Sequence, residues 1–262
     1  MEGETAMNLP PNRMKLALKN NQPSLGLWSQ IPDPLVAEML TGTRFDWLVL
    51  DMEHGPYDLE TTVSMLQAMN GASMAPAVRP PWNDFVAIKR LLDAGVNSLI
   101  IPYVQTVEEA RKAVAATRYP PHGNRGVAGG TRGTMYGRVK DYHANAHKEI
   151  FLTLQIETAE AVEQIEEIGA IEGVDALFIG PADLSASMGH LGNISHPEVQ
   201  EKIAEALERM RKTPVKAGIL SFDPPMAKKF IEMGFDFVCV ASDTSMLVKQ
   251  ADDLAAVFDR NG

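Results

Sequence analysis

FLTLQIETAEAVEQIEEIGAIEGVDALFIGPAD, residues 151–183, decides the fold. It opens with an apolar, β-rich run, Phe151 to Glu157, and passes through a segment of helical period, Thr158 to Ile168. Gly169 follows, and a second apolar run begins, Ala176 to Gly180. A strand, a helix and a strand within so short a span read as a βα repeat feeding a parallel sheet. Strand alternation puts Gln155 and Glu157 on one face, and Asp183 comes just past the second run.

The same alternation extends in both directions. Upstream lie Leu25 to Trp28, Trp47 to Asp51, Ala75 to Arg79 and Ser98 to Pro102; downstream lie Lys216 to Leu220 and Phe237 to Ala241. With the two runs quoted, that makes the eight strands of a single-domain (β/α)₈ TIM barrel. The intervening helices carry start signals: Asp33 before Pro34, Asp58, Asn83, Asp223, and Thr106 with Glu109 as a capping box. Further helices are expected over Pro197 to Arg211 and Thr244 to Phe258. Gly42, Gly71, Gly95, Gly169 and Gly234 fall where helices should stop in the left-handed conformation. Two irregular stretches, Tyr119 to Lys148 and Met188 to His196, are expected on the catalytic face or at a subunit contact.

Composition narrows the class. With 262 residues, 45% hydrophobic and 22% charged, the chain can bury a full core. Residues 1–15 are polar, carry Pro10-Pro11 and lack the apolar stretch of a signal peptide. They read as a flexible N-terminal extension before a barrel domain over 16–262, and export is not expected. The one cysteine, Cys239, lies in an apolar run as a core side chain, which fits a reducing cytoplasm. No apolar run approaches the roughly 20 residues of a membrane span. A formal charge of −10 without basic and aromatic clustering excludes nucleic-acid binding.

In a barrel of parallel strands the chemistry is carried at the C-terminal strand ends, which singles out His54, Arg79, Gln155, Glu157 and Asp183. Asp51 would fix the tautomer of His54 and leave its other nitrogen for proton transfer; the alternative is a polar turn capping the next helix. Glu157 and Asp183, from neighbouring strands, suit a hard divalent cation such as Mg²⁺ or Mn²⁺; the alternative makes Asp183 a helix cap and Glu157 a surface residue. Arg79 offers a planar fork to a carboxylate. Arg125 and Arg132 would add cations from the Gly-rich loop, or are simply solvated. No H-E-x-x-H accompanies His143 and His147, the loop glycines match no nucleotide fingerprint, and no lysine stands at a strand end for imine chemistry.

Five motifs in order resemble the HpcH/HpaI family of metal-dependent pyruvate aldolases. They are Phe45-Asp46-Trp47-Leu48-Val49-Leu50-Asp51 with Glu53-His54; Lys89-Arg90-Leu91-Leu92-Asp93-Ala94-Gly95; Arg118-Tyr119-Pro120-Pro121-His122-Gly123-Asn124-Arg125-Gly126; Gln155-Ile156-Glu157; and Gly180-Pro181-Ala182-Asp183-Leu184. The run Gly189-His190-Leu191-Gly192-Asn193 is most like the 2-dehydro-3-deoxyglucarate aldolase branch, with 4-hydroxy-2-oxoheptanedioate aldolase as close relative.

The resemblance implies a divalent metal (Mg²⁺, Mn²⁺ or Co²⁺) on Glu157 and Asp183, and no organic cofactor. It places the pyruvate unit on Gln155, Arg79 and the backbone near Ala182 and Asp183. His54 would be the base, oriented by Asp51, and Asp93 an acidic residue that helps position the site, across a subunit boundary in some arrangements. It further implies cleavage of a 4-hydroxy-2-oxo acid to pyruvate and an aldehyde through a metal-stabilised enolate, in a cytoplasmic homo-hexamer built as a trimer of dimers. A citrate-lyase β or malyl-CoA-type lyase, and a barrel that binds a 2-oxo acid without turnover, are the alternatives. Met52 stands where this family commonly has glycine.

Overall fold

Eight strands pair in chain order and close: β1 (Ser24–Ser29), β2 (Trp47–Asp51), β3 (Ala75–Arg79), β4 (Ser98–Ile101), β5 (Phe151–Ile156), β6 (Ala176–Ile179), β7 (Lys216–Leu220) and β8 (Phe237–Ser242). All neighbours run parallel, with β8 returning to β1. The computed structural model describes residues 7–19 and 22–258. Among them no helix is long and apolar enough to cross a membrane. The expected (β/α)₈ barrel is what forms.

The barrel interior is filled by pairing large rings with absent side chains. Trp47, Phe178 and Phe237 are fully buried there beside Ala75, Ala77 and Cys239. Gly26 lies where a Cβ would run into the Trp47 ring, so no larger residue fits at that point of β1. A second, larger apolar layer lies between the strands and the outer helices.

The N-terminal segment closes the bottom of the barrel. Residues 1–6 lie outside the described residues, but residues 7–15 are not the free extension expected from sequence. Asn12 is buried, its amide donating to Asn97 O at 2.7 Å and to Glu149 O at 3.1 Å. It caps the helix Arg13–Ala17, whose Met14 joins the barrel interior. Proline and polar composition concealed one apolar side chain and one buried amide.

Helix starts at Asp33, Asp58, Thr106 and Asp223 agree with sequence. Asn83 does not cap its helix: Asp84 accepts from Ala87 N at 2.8 Å, while the Asn83 amide donates to Glu109 O. The helix expected over Thr158 to Ile168 is broken into Ala159–Val162 and Ile165–Gly169. Gly71, Gly95 and Gly234 are left-handed; Gly42 is not, and Gly169 ends its helix against Thr213, where a Cβ would meet the side chain at 2.9 Å.

The stretch 119–148 connects the C-terminus of the helix Val107–Thr117 to the start of β5, so it covers the N-terminal end of the barrel. It is not on the face where the strands end, which overturns that half of the expectation. It is tied there by Gly133 N to Asp93 O (2.9 Å) and by Arg132 to Ala94 O (2.9 Å). The stretch 188–196 does follow a strand-end helix, Pro181–Ser187, on the opposite face.

Candidate active site

β2 and β3 end in register, Asp51 opposite Arg79. Both side chains are buried, and the arginine grips the carboxylate with two parallel bonds, Nε to Oδ1 at 2.8 Å and Nη2 to Oδ2 at 2.7 Å. Burial pushes the Asp51 carboxyl upward, but the bonds and charge of Arg79 outweigh it and hold the group below its ordinary value. The guanidinium also stands 4.8 Å from the Trp28 ring centre. Its third nitrogen, Nη1, is 2.7 Å from Glu53 Oε2 and 3.5 Å from Gln155 Oε1.

This arrangement corrects the expected His54–Asp51 pair. From the turn that follows it Asp51 accepts backbone N–H groups alone, that of His54 at 3.3 Å and that of Glu53 at 3.1 Å. Its carboxylate points into the barrel, whereas His54 lies beyond the turn with a side chain 62% exposed; the acid facing the ring is Glu53, at 4.0 Å from Nε2. Asp51 positions Arg79, not the imidazole. Glu53 was missed as a site residue, although the alternation that pairs Gln155 with Glu157 equally pairs Asp51 with Glu53.

Gln155 and Glu157 do share a face. Gln155 Nε2 donates to Glu157 Oε1 at 2.9 Å, and the backbone N–H of Tyr103 donates to Oε2 at 2.9 Å. Burial, then the charges of Asp183 and Glu53, push the Glu157 carboxyl up to about 7. Gly180 makes room: a Cβ there would overlie the Glu157 carboxylate. The helix that follows carries Asp183, exposed, in its first turn, and has no capping side chain over the N–H groups near Ala182 and Asp183.

Asp51, Glu53 and Glu157 thus surround one buried cation, Arg79, and the exposed Asp183 adds a fourth carboxylate whose charge raises both Glu53 and Glu157. Burial also raises Glu53 despite the arginine beside it. An acidic surplus of this kind, with oxygen donors from adjacent strands, fits a hard divalent ion. The donors that would hold it are Glu157 and Asp183. A separate group, His190, His196 and Glu198, also brings potential ligand atoms within 4.8 Å of one another. There, however, the rings stack at 3.6 Å between centres and His190 Nε2 bonds Glu198 at 2.9 Å, so the donors are directed at each other.

Two expected residues are elsewhere. Asp93 ends the helix Phe85–Asp93 at the N-terminal face and pairs with Arg125 at 3.0 Å, so one chain does not bring it to the strand ends. Arg125 is no solvated loop residue: it is 1% exposed, 4.6 Å from the Tyr119 ring centre and 5.8 Å from that of Tyr142.

Residues 24–250 match the model of the HpcH/HpaI aldolase/citrate lyase family. A protein named pyruvate aldolase from Rhizobium etli is 47% identical over 252 residues, 96% of this chain and 99% of that one. One named 4-hydroxy-2-oxo-heptane-1,7-dioate aldolase from Escherichia coli is 46% identical over 94% of this chain and 95% of its own. The crystal structure of a HpcH/HpaI aldolase/citrate lyase family protein from Burkholderia cenocepacia superposes with a TM-score of 0.91 at 37% identity, covering 95% of this chain and 100% of that one. A barrel with these strand-end residues, and likeness of this extent, make the chain a carbon–carbon lyase of the aldolase kind, and it belongs to the HpcH/HpaI aldolase/citrate lyase family.

Proposed function

We propose that the enzyme reversibly cleaves a 4-hydroxy-2-oxo acid to pyruvate and an aldehyde, with a divalent metal held by Glu157 and Asp183. The observation that carries this reading is the carboxylate surplus at the strand ends, with Glu157 pushed up to about 7. When bound, a divalent cation would supply positive charge beside the keto oxygen where negative charge grows as the C3–C4 bond breaks.

The chain's own groups do the rest. Gln155 and the outward N–H groups of Arg79 orient the pyruvate half, and Asp51, by filling two positions of the fork, fixes where the others point. His54 takes the C4 hydroxyl proton, directly or through a water. The electron pair of the C3–C4 bond then moves into the pyruvate half as the aldehyde leaves, and a proton returned to C3 completes pyruvate. Glu53 lies between them, 2.7 Å from Arg79 Nη1 and 4.0 Å from His54 Nε2. Assembly as a hexamer, a trimer of dimers, is part of the same proposal. Leu247, Val248, Leu254 and Val257, exposed along the last helix, support a contact there, and sedimentation tests it.

The test is pyruvate release from 2-dehydro-3-deoxyglucarate and 4-hydroxy-2-oxoheptanedioate by chelated protein, with and without added Mg²⁺, Mn²⁺ or Co²⁺. The expected result is metal-dependent release that Glu157→Ala abolishes. Release indifferent to chelation would remove the metal from the reading.

A further inference from the structure

The strand-end face of this chain is poor in cations beyond what the site itself uses. Between each strand and the outer helix that follows lie residues 30–33, 52–58, 80–84, 102–106, 157–158, 180–196 and 221–223. None of these residues is lysine or arginine. β8 passes directly into its helix. Arg79, at the end of β3, is committed to Asp51 and Glu53. Lys89, a turn into the helix Phe85–Asp93, lies over the Phe85 ring at 5.7 Å.

The same face exposes aromatic surface. Trp82 is 53% exposed and Tyr103 is 42% exposed, with ring centres 5.6 Å apart and planes inclined at 31°. Tyr103 is left-handed, φ 53°, a conformation costly for a residue with a side chain. Its N–H is the donor to Glu157, so the strained backbone fixes an aromatic residue directly beside the proposed metal ligand.

We infer that the aldehyde half of the substrate is uncharged and apolar, and that Trp82 and Tyr103 form the wall that receives it. This deepens the aldolase reading and rests on it. A tail ending in a carboxylate meets no lysine or arginine from these loops and adds to the repulsion of four acids. An apolar tail loses water against two rings that folding leaves half bare.

A matched pair tests it: 4-hydroxy-2-oxoheptanoate and 4-hydroxy-2-oxoheptane-1,7-dioate differ only in a terminal methyl against a carboxylate. At low salt, kcat/KM for the heptanoate should exceed that for the dioate by about tenfold. The gap should narrow as salt rises to about 0.5 M, because screening acts on the charged tail alone. Tyr103→Gly suits the left-handed backbone and keeps the N–H on Glu157; it should lower kcat/KM for the heptanoate more than for the dioate. Trp82→Lys, at an exposed position, should raise the dioate. Equal or better turnover of the dioate at low salt overturns the inference, as does a gap that neither substitution nor salt changes. Pyruvate from neither compound overturns the aldolase reading itself, and this inference with it.

Discussion

Two buried arginines stand at opposite ends of the barrel, and their surroundings differ in kind. Arg79, at the strand ends, meets more acid than it can neutralise: two bonds to Asp51, a third contact to Glu53, and Glu157 and Asp183 beyond. Arg125, at the other end, is held between Tyr119 and Tyr142 and paired with Asp93, and among the described residues its Nε and Nη1 have no partner. The first end carries more acid than base, which supports the divalent cation proposed there. The second holds one cation mostly by aromatic faces and gives no comparable reason to bind a cation. Burial of an arginine therefore does not mark a site; the balance of charge around it does.

The largest expected effect is at the acidic end. Glu157→Gln keeps the volume and the bond to Tyr103 but removes the charge proposed to hold the metal, and should lower pyruvate release by about a thousandfold or more. Next come the arginines themselves. Arg79→Met leaves Asp51 buried and unpaired, and should cost about 3–5 kcal/mol in chemical denaturation together with activity. Arg125→Met, which keeps an apolar stem against the aromatic faces and leaves a partly exposed Asp93, should cost less, about 2 kcal/mol. Equal losses would break the contrast between the two ends.

A smaller effect follows from the Glu157 carboxyl, which lies at about 7 in the folded chain against 4.5 ordinarily. A raised carboxylate favours folding while protonated. Its contribution is complete below about 4.5 and is lost as pH rises through about 7. Metal-free protein should therefore lose melting temperature across that window relative to Glu157→Gln, and added Mn²⁺ should reverse the loss. The smallest effect concerns His54. Because Asp51 contacts only its backbone, Asp51→Asn should change KM and kcat through Arg79 while leaving the acid limb of the pH–rate profile in place. A shifted limb would restore the Asp51–His54 pair expected from sequence.

The eight strands were legible because buried parallel strands leave continuous apolar runs, and the strand-end acids because the chain must turn just after them. What escaped depended on direction. Asp51 and His54 are three residues apart, but a turn separates them, and the side chain that looks in chooses Arg79 across the register instead. The place of residues 119–148 was written in the order of elements, since a helix-to-strand connection returns to the N-terminal end. Glycine and arginine content obscured that. Arg125 was misread because nothing local announces that Tyr119 and Tyr142 will close on it. Asp93 carries a family motif, yet within one chain it faces the far end.

In the proposed reaction the acidic strand ends bind a divalent ion. Mn²⁺ titrated into chelated protein, followed by the loss of free-ion electron paramagnetic resonance, tests it most directly. The account predicts one strong site per chain, tighter as pH rises toward about 7 and flat above, and lost in Glu157→Gln. Binding that survives in Glu157→Gln and disappears in His190→Ala would contradict it, moving the ion to the histidine pair and leaving the carboxylates without their proposed role.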